Sequence, residues 1–309
     1  RRQRQMCIRD RQIAAHTGGV DMKSAYDEAV RLLPSKTAAA LGERFKTAEE
    51  FRLRAGRYPC ALIGGREEAI ADRAVTRDDI ACVLEKATNA SLHAVWQDMS
   101  KGFISCGFGL RIGVCGTGVI SGGKLTGLRD ISSVSIRIPR QSTNCGGEVL
   151  KKLCAAKDNV LIISPPGGGK TTFLRECIRA ISSSGVRVAV CDERGELAAV
   201  FRGVPQFDIG PMSDVMSDIP KSEAALMLLR SMNPQVIAMD EISSPEDCRA
   251  AASAVGCGVR VIATAHAASV SDLKRRNVYR FLLAQDVFNN IVVIENNAGV
   301  RSYRLETLQ

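Results

Sequence analysis

The chain has 309 residues, is 45% hydrophobic and carries a formal net charge of +9. That length suits two domains with buried cores, and that hydrophobic share excludes a chain disordered throughout. No apolar run approaches the ~18 residues that span a membrane. The 11 cysteines are scattered without a CxxC pair, which excludes a cysteine-clamped metal site or a disulfide framework and predicts reduced, mostly buried thiols.

The opening is basic: residues 1–12, RRQRQMCIRDRQ, hold five arginines against one aspartate. With neither periodicity nor apolar content, residues 1–20 are expected to be a disordered extension, with a nucleic-acid-binding arm as the other use. No apolar h-region follows the basic start, so no signal peptide is expected and the protein is placed in the cytoplasm. Residues 21–142 form the first predicted domain. SAYDEAVRLLP reads as a helix ended by Pro34. In AEEFRLRAG, Phe51, Leu53 and Ala55 alternate with Arg52 and Arg54, as in a half-exposed strand. RDDIACVLEKAT reads as a helix capped near Thr76 or Asp78. The stretch from 102 to 140 is a series of short β segments punctuated by glycine. Helices and strands segregated in this way predict a small α+β domain. A linker is expected over about 141–147.

Residues 147–309 alternate strand and helix. Strands are expected at 160–164, 187–191, 236–240 and 259–264, and helices at 171–183, 222–232 and 245–257. Such alternation predicts a parallel sheet with helices on both faces. The last segment differs, because two alternating runs around Asn296-Asn297-Ala298-Gly299 read as a terminal hairpin.

Between the first strand and the first helix of this domain lies Ser164-Pro165-Pro166-Gly167-Gly168-Gly169-Lys170-Thr171-Thr172. Glycines let backbone amides converge on one point, and the following helix adds free N–H groups and its positive dipole end. The predicted object is a phosphate cradle. Lys170 would reach the β- and γ-phosphates of ATP, and the Thr171 hydroxyl would face Mg²⁺. Ser164 stands where the pattern usually has its first glycine. A second strand ends in Asp240 and Glu241. Asp240 is expected to hold Mg²⁺ and Glu241 to act on the attacking water, the alternative being two acids that cap the next helix. A third strand ends in Thr264 and His266. Strand ends on this edge face the ligand crevice, so His266 either senses the γ-phosphate or is a satisfied structural histidine. Asp192, Glu193 and Arg194 end a fourth strand. They are open to magnesium, to the water, to a neighbouring subunit, or to a salt-bridged helix start.

Together, SPPGGGKTT, DERGEL, DIGPMSDVMSDIPKSEAALMLLRSMNPQVIAMDE and TAHA resemble the stage III sporulation protein AA family. These are ATPases of endospore-forming bacteria, similar to the traffic ATPases of type II and type IV secretion. EEFRLRAGR, GFGLRIGVCGTGV and LRDISSVSIRIPR extend the resemblance into the first domain. It implies a RecA-like P-loop ATPase domain after the smaller α+β domain, with ATP and Mg²⁺ as cofactors. It also implies a hexameric ring and a role as the cytosolic motor of a secretion-like complex, held at the membrane by membrane-embedded partner proteins. Arginines of the first domain would complete the nucleotide site. Arg111, Arg129, Arg137 and Arg140 are the candidates, with Arg137 and Arg140 foremost because they precede the linker. Many secretion ATPases have glycine where this chain has Asp240, and TAHA resembles the family's histidine box. A rival reading is a nucleic-acid-binding RecA-like ATPase. Aromatics make up only 5% of the residues, which leaves few stacking platforms, and no stable nucleic-acid partner is expected.

Overall fold

The computed structural model describes residues 22–88, 102–139, 145–297 and 300–308. The basic extension and Arg140 therefore lie outside the described residues, as does most of the expected linker. The described residues build two sheets.

The first sheet has six strands: β1 (Glu50–Arg54), β2 (Cys60–Ile63), β3 (Arg66–Ala69), β4 (Phe103–Ser105), β5 (Arg111–Ser121) and β6 (Lys124–Arg137). Their order is β3-β2-β1-β6-β5-β4, and every pairing is antiparallel. Register explains the two faces, because side chains alternate across a strand. Phe51, Ile136 and Ile112 stand opposite one another, as do Leu53, Val134 and Val114. This apolar face is covered by the helices Met22–Leu32 and Arg77–Thr88, which bury Ala29, Ile80 and Val83 in the same core. Thr76 caps the second helix: its hydroxyl accepts from the Asp79 amide at 3.2 Å. The other face carries Arg52, Ser135 and Gly113 in one row and Arg54, Ser133 and Cys115 in the next.

The second sheet has seven strands: β7 (Val160–Ser164), β8 (Val188–Asp192), β9 (Ser213–Ser217), β10 (Val236–Met239), β11 (Arg260–His266), β12 (Asn290–Asn297) and β13 (Val300–Thr307). The order β13-β12-β7-β11-β10-β8-β9 is parallel throughout, except for the antiparallel edge strand β13. Strands buried on both faces read as near-continuous apolar runs, and β7, β8 and β10 are buried along their whole length, with the polar Ser164 and Asp192 only at the ends of β7 and β8. Val160 and Ile162 pack under the helices Gly147–Ala155 and Lys170–Ser183. Leu161 and Ile163 pack on the other side, with the helices Lys221–Ser231, Pro245–Gly256, Val270–Arg275 and Asn277–Ala284. The fold is thus α/β, with a parallel sheet sandwiched between helices and preceded by an α+β unit, as the sequence predicts. The terminal hairpin forms, and its first strand also joins the parallel sheet beside β7. The sequence reading missed β9 and the helices at 147–155, 270–275 and 277–284.

Candidate active site

In a parallel sheet all C-terminal strand ends share one edge. Here β7, β11, β10 and β8 end in Ser164, His266, Met239 and Asp192, and register places His266 directly beside Ser164. Asp240, Glu241 and His266, singled out at these ends, therefore converge around one loop.

That loop is closed by the Gly168 amide, which donates to the Pro165 carbonyl at 3.1 Å. Ser164 is fully buried beneath it, its hydroxyl donating to the Pro165 carbonyl at 2.9 Å. A Cβ on Gly168 would stand 2.2 Å from Ser164 Oγ, so no side chain fits there. Gly169 has φ +100°, a conformation that side chains resist. It precedes the helix Lys170–Ser183, and no side chain caps that helix start. The first-turn amides are therefore left for a ligand.

Lys170 is buried and folds back over the loop. Its ammonium donates to the carbonyls of Ser164 (3.1 Å) and Pro165 (3.4 Å) and contacts His266 Nδ1 at 3.0 Å. An ammonium has no acceptor, so Nδ1 accepts and the ring proton sits on Nε2. That nitrogen faces Glu241 Oε1 at 3.3 Å. Burial pushes the Lys170 ammonium down from its usual range, while Asp240 and Glu241 act the other way. The other oxygen of Glu241 meets Arg194 Nη1 at 3.0 Å. Glu241 itself holds φ +47°, a strained backbone for a non-glycine residue. Its amide donates to Thr264 Oγ1 at 2.7 Å, fixing the bend.

Asp240 accepts from the Thr171 hydroxyl (3.1 Å) and from the Thr264 hydroxyl (2.6 Å). Burial pushes its carboxyl above the usual range. Pro166, Gly167, Gly169, Lys170, Thr171, Thr172, Asp240, Glu241 and His266 line one cavity of about 360 Å³. Pro165 is exposed beside it.

Of the uses open to Asp192, Glu193 and Arg194, the helix start is not found: a turn follows Asp192, and no helix starts there. Asp192 is buried, and both its carboxylate oxygens accept from the turn that follows: the amides of Glu196 (2.7 Å) and Leu197 (2.9 Å) on one, that of Ala198 (2.8 Å) on the other. The residue is a structural clasp on that turn. Glu193 pairs with the buried Lys221 at 2.5 Å. Arg175, on the helix after the glycine loop, donates to the carbonyls of Leu197 (2.9 Å) and Glu196 (2.5 Å) and stacks on Phe207. Removing the clasp orphans buried amides, each worth about 1–3 kcal/mol. Asp192→Ala is therefore expected to lower stability by about 3 kcal/mol, read as a shifted denaturant midpoint. An unchanged midpoint would return Asp192 to the ligand candidates.

Arg111 and Arg137 stand directly opposite one another on β5 and β6. Like charges so placed repel, and each is answered by a carboxylate. Arg137 meets Glu50 at 3.4 Å, while Arg111 reaches across to the turn after β8 and meets Glu196 at 3.1 Å. Both line a cleft with Thr171, Arg175 and Glu196. Phe108 N donates to Gln206 Oε1 at 2.7 Å across the same junction. Arg129 is exposed and pairs with its neighbour Asp130. Two residues that the sequence reading did not single out also line the glycine-loop cavity: Glu196, in the turn after β8, and Arg301, on β13.

The fold and its convergent strand ends define a chain built on the same plan as two solved motor proteins. The Legionella pneumophila ATPase DotB superposes with a TM-score of 0.58 at 15% identity, over 94% of this chain and 81% of that one. The pilus retraction motor PilT, solved with bound ADP, gives 0.62 at 18% identity over 85% and 80%. The profile of the family described as Sporulation stage III, protein AA, matches residues 27–303. Stage III sporulation protein AA of Bacillus subtilis (strain 168) is 35% identical over 284 residues, 88% of this chain and 92% of that protein. The chain belongs to this family.

Proposed function

We propose that the chain is a Mg²⁺-dependent ATP hydrolase that works as the motor of a secretion-like complex needed for endospore formation. The observation that carries this reading is the meeting of Lys170, Thr171, Asp240, Glu241 and His266 in one cavity over the glycine loop. On this reading residues 147–309 are the ATPase domain, 21–142 the accessory domain, and a ring of six copies is the working form. No helix among the described residues is long and apolar enough to cross a membrane. On the same reading, membrane-embedded partner proteins hold the motor in place at the cytoplasmic face.

The loop amides and Lys170 bind the phosphates of ATP, whose oxygens take over the donors that Lys170 directs at Ser164, Pro165 and His266. Thr171 and Asp240 are hard oxygen donors linked at 3.1 Å, the kind Mg²⁺ takes. Mg²⁺ held there would supply positive charge to offset that of the phosphates. Glu241 orients the attacking water and accepts its proton. His266, held between Lys170 and Glu241, couples the lysine's position to the base and senses the γ-phosphate. Arg137, with Arg140 and Arg111, supplies positive charge as the phosphoryl group transfers.

Arg137→Ala is expected to depress turnover more than ATP binding, since arginine fingers act on the transition state. If the arginine serves a neighbouring copy, turnover per protomer should rise with protein concentration. Mixing the Arg137→Ala and Lys170→Ala variants should then restore activity, because one mixed interface joins an intact loop to an intact arginine. Turnover that is independent of concentration in a stable monomer would remove the ring.

A further inference from the structure

The terminal hairpin reaches the glycine loop from the flank that the chemistry described above leaves unused. Strand order fixes this. β11 and β10, on one side of β7, bring His266, Asp240 and Glu241, whereas β12 and then β13 lie on the other side. Alternate residues of β13, Tyr303 and Leu305, pack into the core beneath the helix Lys170–Ser183. The Tyr303 ring sits 4.9 Å from the Phe173 ring, which pins the strand to the helix that starts at the loop. Arg301 shares their side of the strand. Its Nε stands 2.8 Å from where a Cβ on Gly169 would be, and its Cζ 3.1 Å. Arg304, further along, is tied to Glu295 and Glu306. Arg301 forms no ion pair with a described residue, and it lines the cavity with Gly169, Lys170 and Thr172.

We infer that Arg301 is a nucleotide-binding residue, and that its guanidinium takes the α-phosphate end of a nucleotide held by the loop of its own chain. This rests on the nucleotide reading above. Lys170 marks the β- and γ-phosphate end, and the carboxylates that act there lie on the β10 side. The rest of the nucleotide must leave on the opposite flank, past Gly169 and Thr172, where Arg301 waits. A guanidinium's fixed fork suits paired phosphate oxygens. The contribution is to affinity, because the α-phosphate carries little of the charge change during γ-phosphoryl transfer.

The test measures equilibrium binding of ADP and ATP, turnover at saturating ATP, and the thermal midpoint. It compares the wild type with Arg301→Ala, Arg301→Lys and, as a control on the same strand, Arg304→Ala. Arg301→Ala should weaken ADP and ATP alike by about tenfold (about 1.4 kcal/mol) while keeping turnover at saturation and the thermal midpoint. Arg301→Lys should fall between it and the wild type, and Arg304→Ala should bind as the wild type does. If Arg301→Ala binds both nucleotides as the wild type does, this inference fails and the nucleotide reading stands. A loss of turnover without a loss of affinity overturns it too, since that result places the guanidinium at the γ-phosphate. Should the wild type bind neither nucleotide, the nucleotide reading fails and takes the inference with it.

Discussion

Glu241→Gln is expected to bind ATP as the unaltered chain does and to hydrolyse it about 10²–10⁴-fold more slowly, the usual contribution of a positioned general base. The amide keeps the carboxylate's shape, so contacts to Arg194 and His266 remain possible and the φ +47° bend held by Thr264 is undisturbed. What the amide loses is the ability to take a proton from water. Single-turnover hydrolysis and equilibrium ATP binding, measured on the same preparation, separate the two effects. Hydrolysis at the unaltered rate would remove Glu241 from the role. Glu196 would become the next carboxylate to test, because it lines the same cavity. Glu193 is a weaker successor, being paired with Lys221.

Lys170→Ala should weaken nucleotide binding on the order of 100-fold. Charge-assisted hydrogen bonds contribute about 1.5–3 kcal/mol each, and every 1.4 kcal/mol is about tenfold in affinity. The fold should survive. The ammonium is already disfavoured by burial, and the Pro165 carbonyl it meets also accepts from the Ser164 hydroxyl. Isothermal titration with ATP, together with a melting curve, decides the matter. A folded variant with unaltered affinity would refute the phosphate cradle.

Sequence pattern sufficed wherever a residue's position follows from local periodicity. The loop from Ser164 to Thr172 lies between a β-branched run and a helical apolar stripe, so its context was legible without coordinates. Asp240, Glu241 and His266 were legible because parallel strands end on one edge. The use of Asp192 was hidden, since its three partners are backbone amides, which no side-chain pattern announces. Strand β9 was hidden because its SDVMS has neither strict alternation nor a continuous apolar run. Arg301 was hidden for a different reason. A hairpin signal gives the pairing of its two strands, but not the neighbour against which the hairpin docks. Only the docking of β12 on β7 carries Arg301 to Gly169.

The contact between Ser164 and Gly168 bears on how such loops should be sought. The two positions occupy a single volume: a Cβ at 168 would fall 2.2 Å from the oxygen and 2.7 Å from the carbon of the serine side chain. The room that glycine leaves at one position is the room the hydroxymethyl group fills at the other. The familiar pattern, with glycine at the earlier site, treats the two as independent letters. In this chain they form a joint constraint on summed size, met by serine plus glycine and violated when both sites carry side chains. A search that scores the pair together would accept this loop and its mirror assignment, and would reject sequences that satisfy each position's average preference but overfill the shared space.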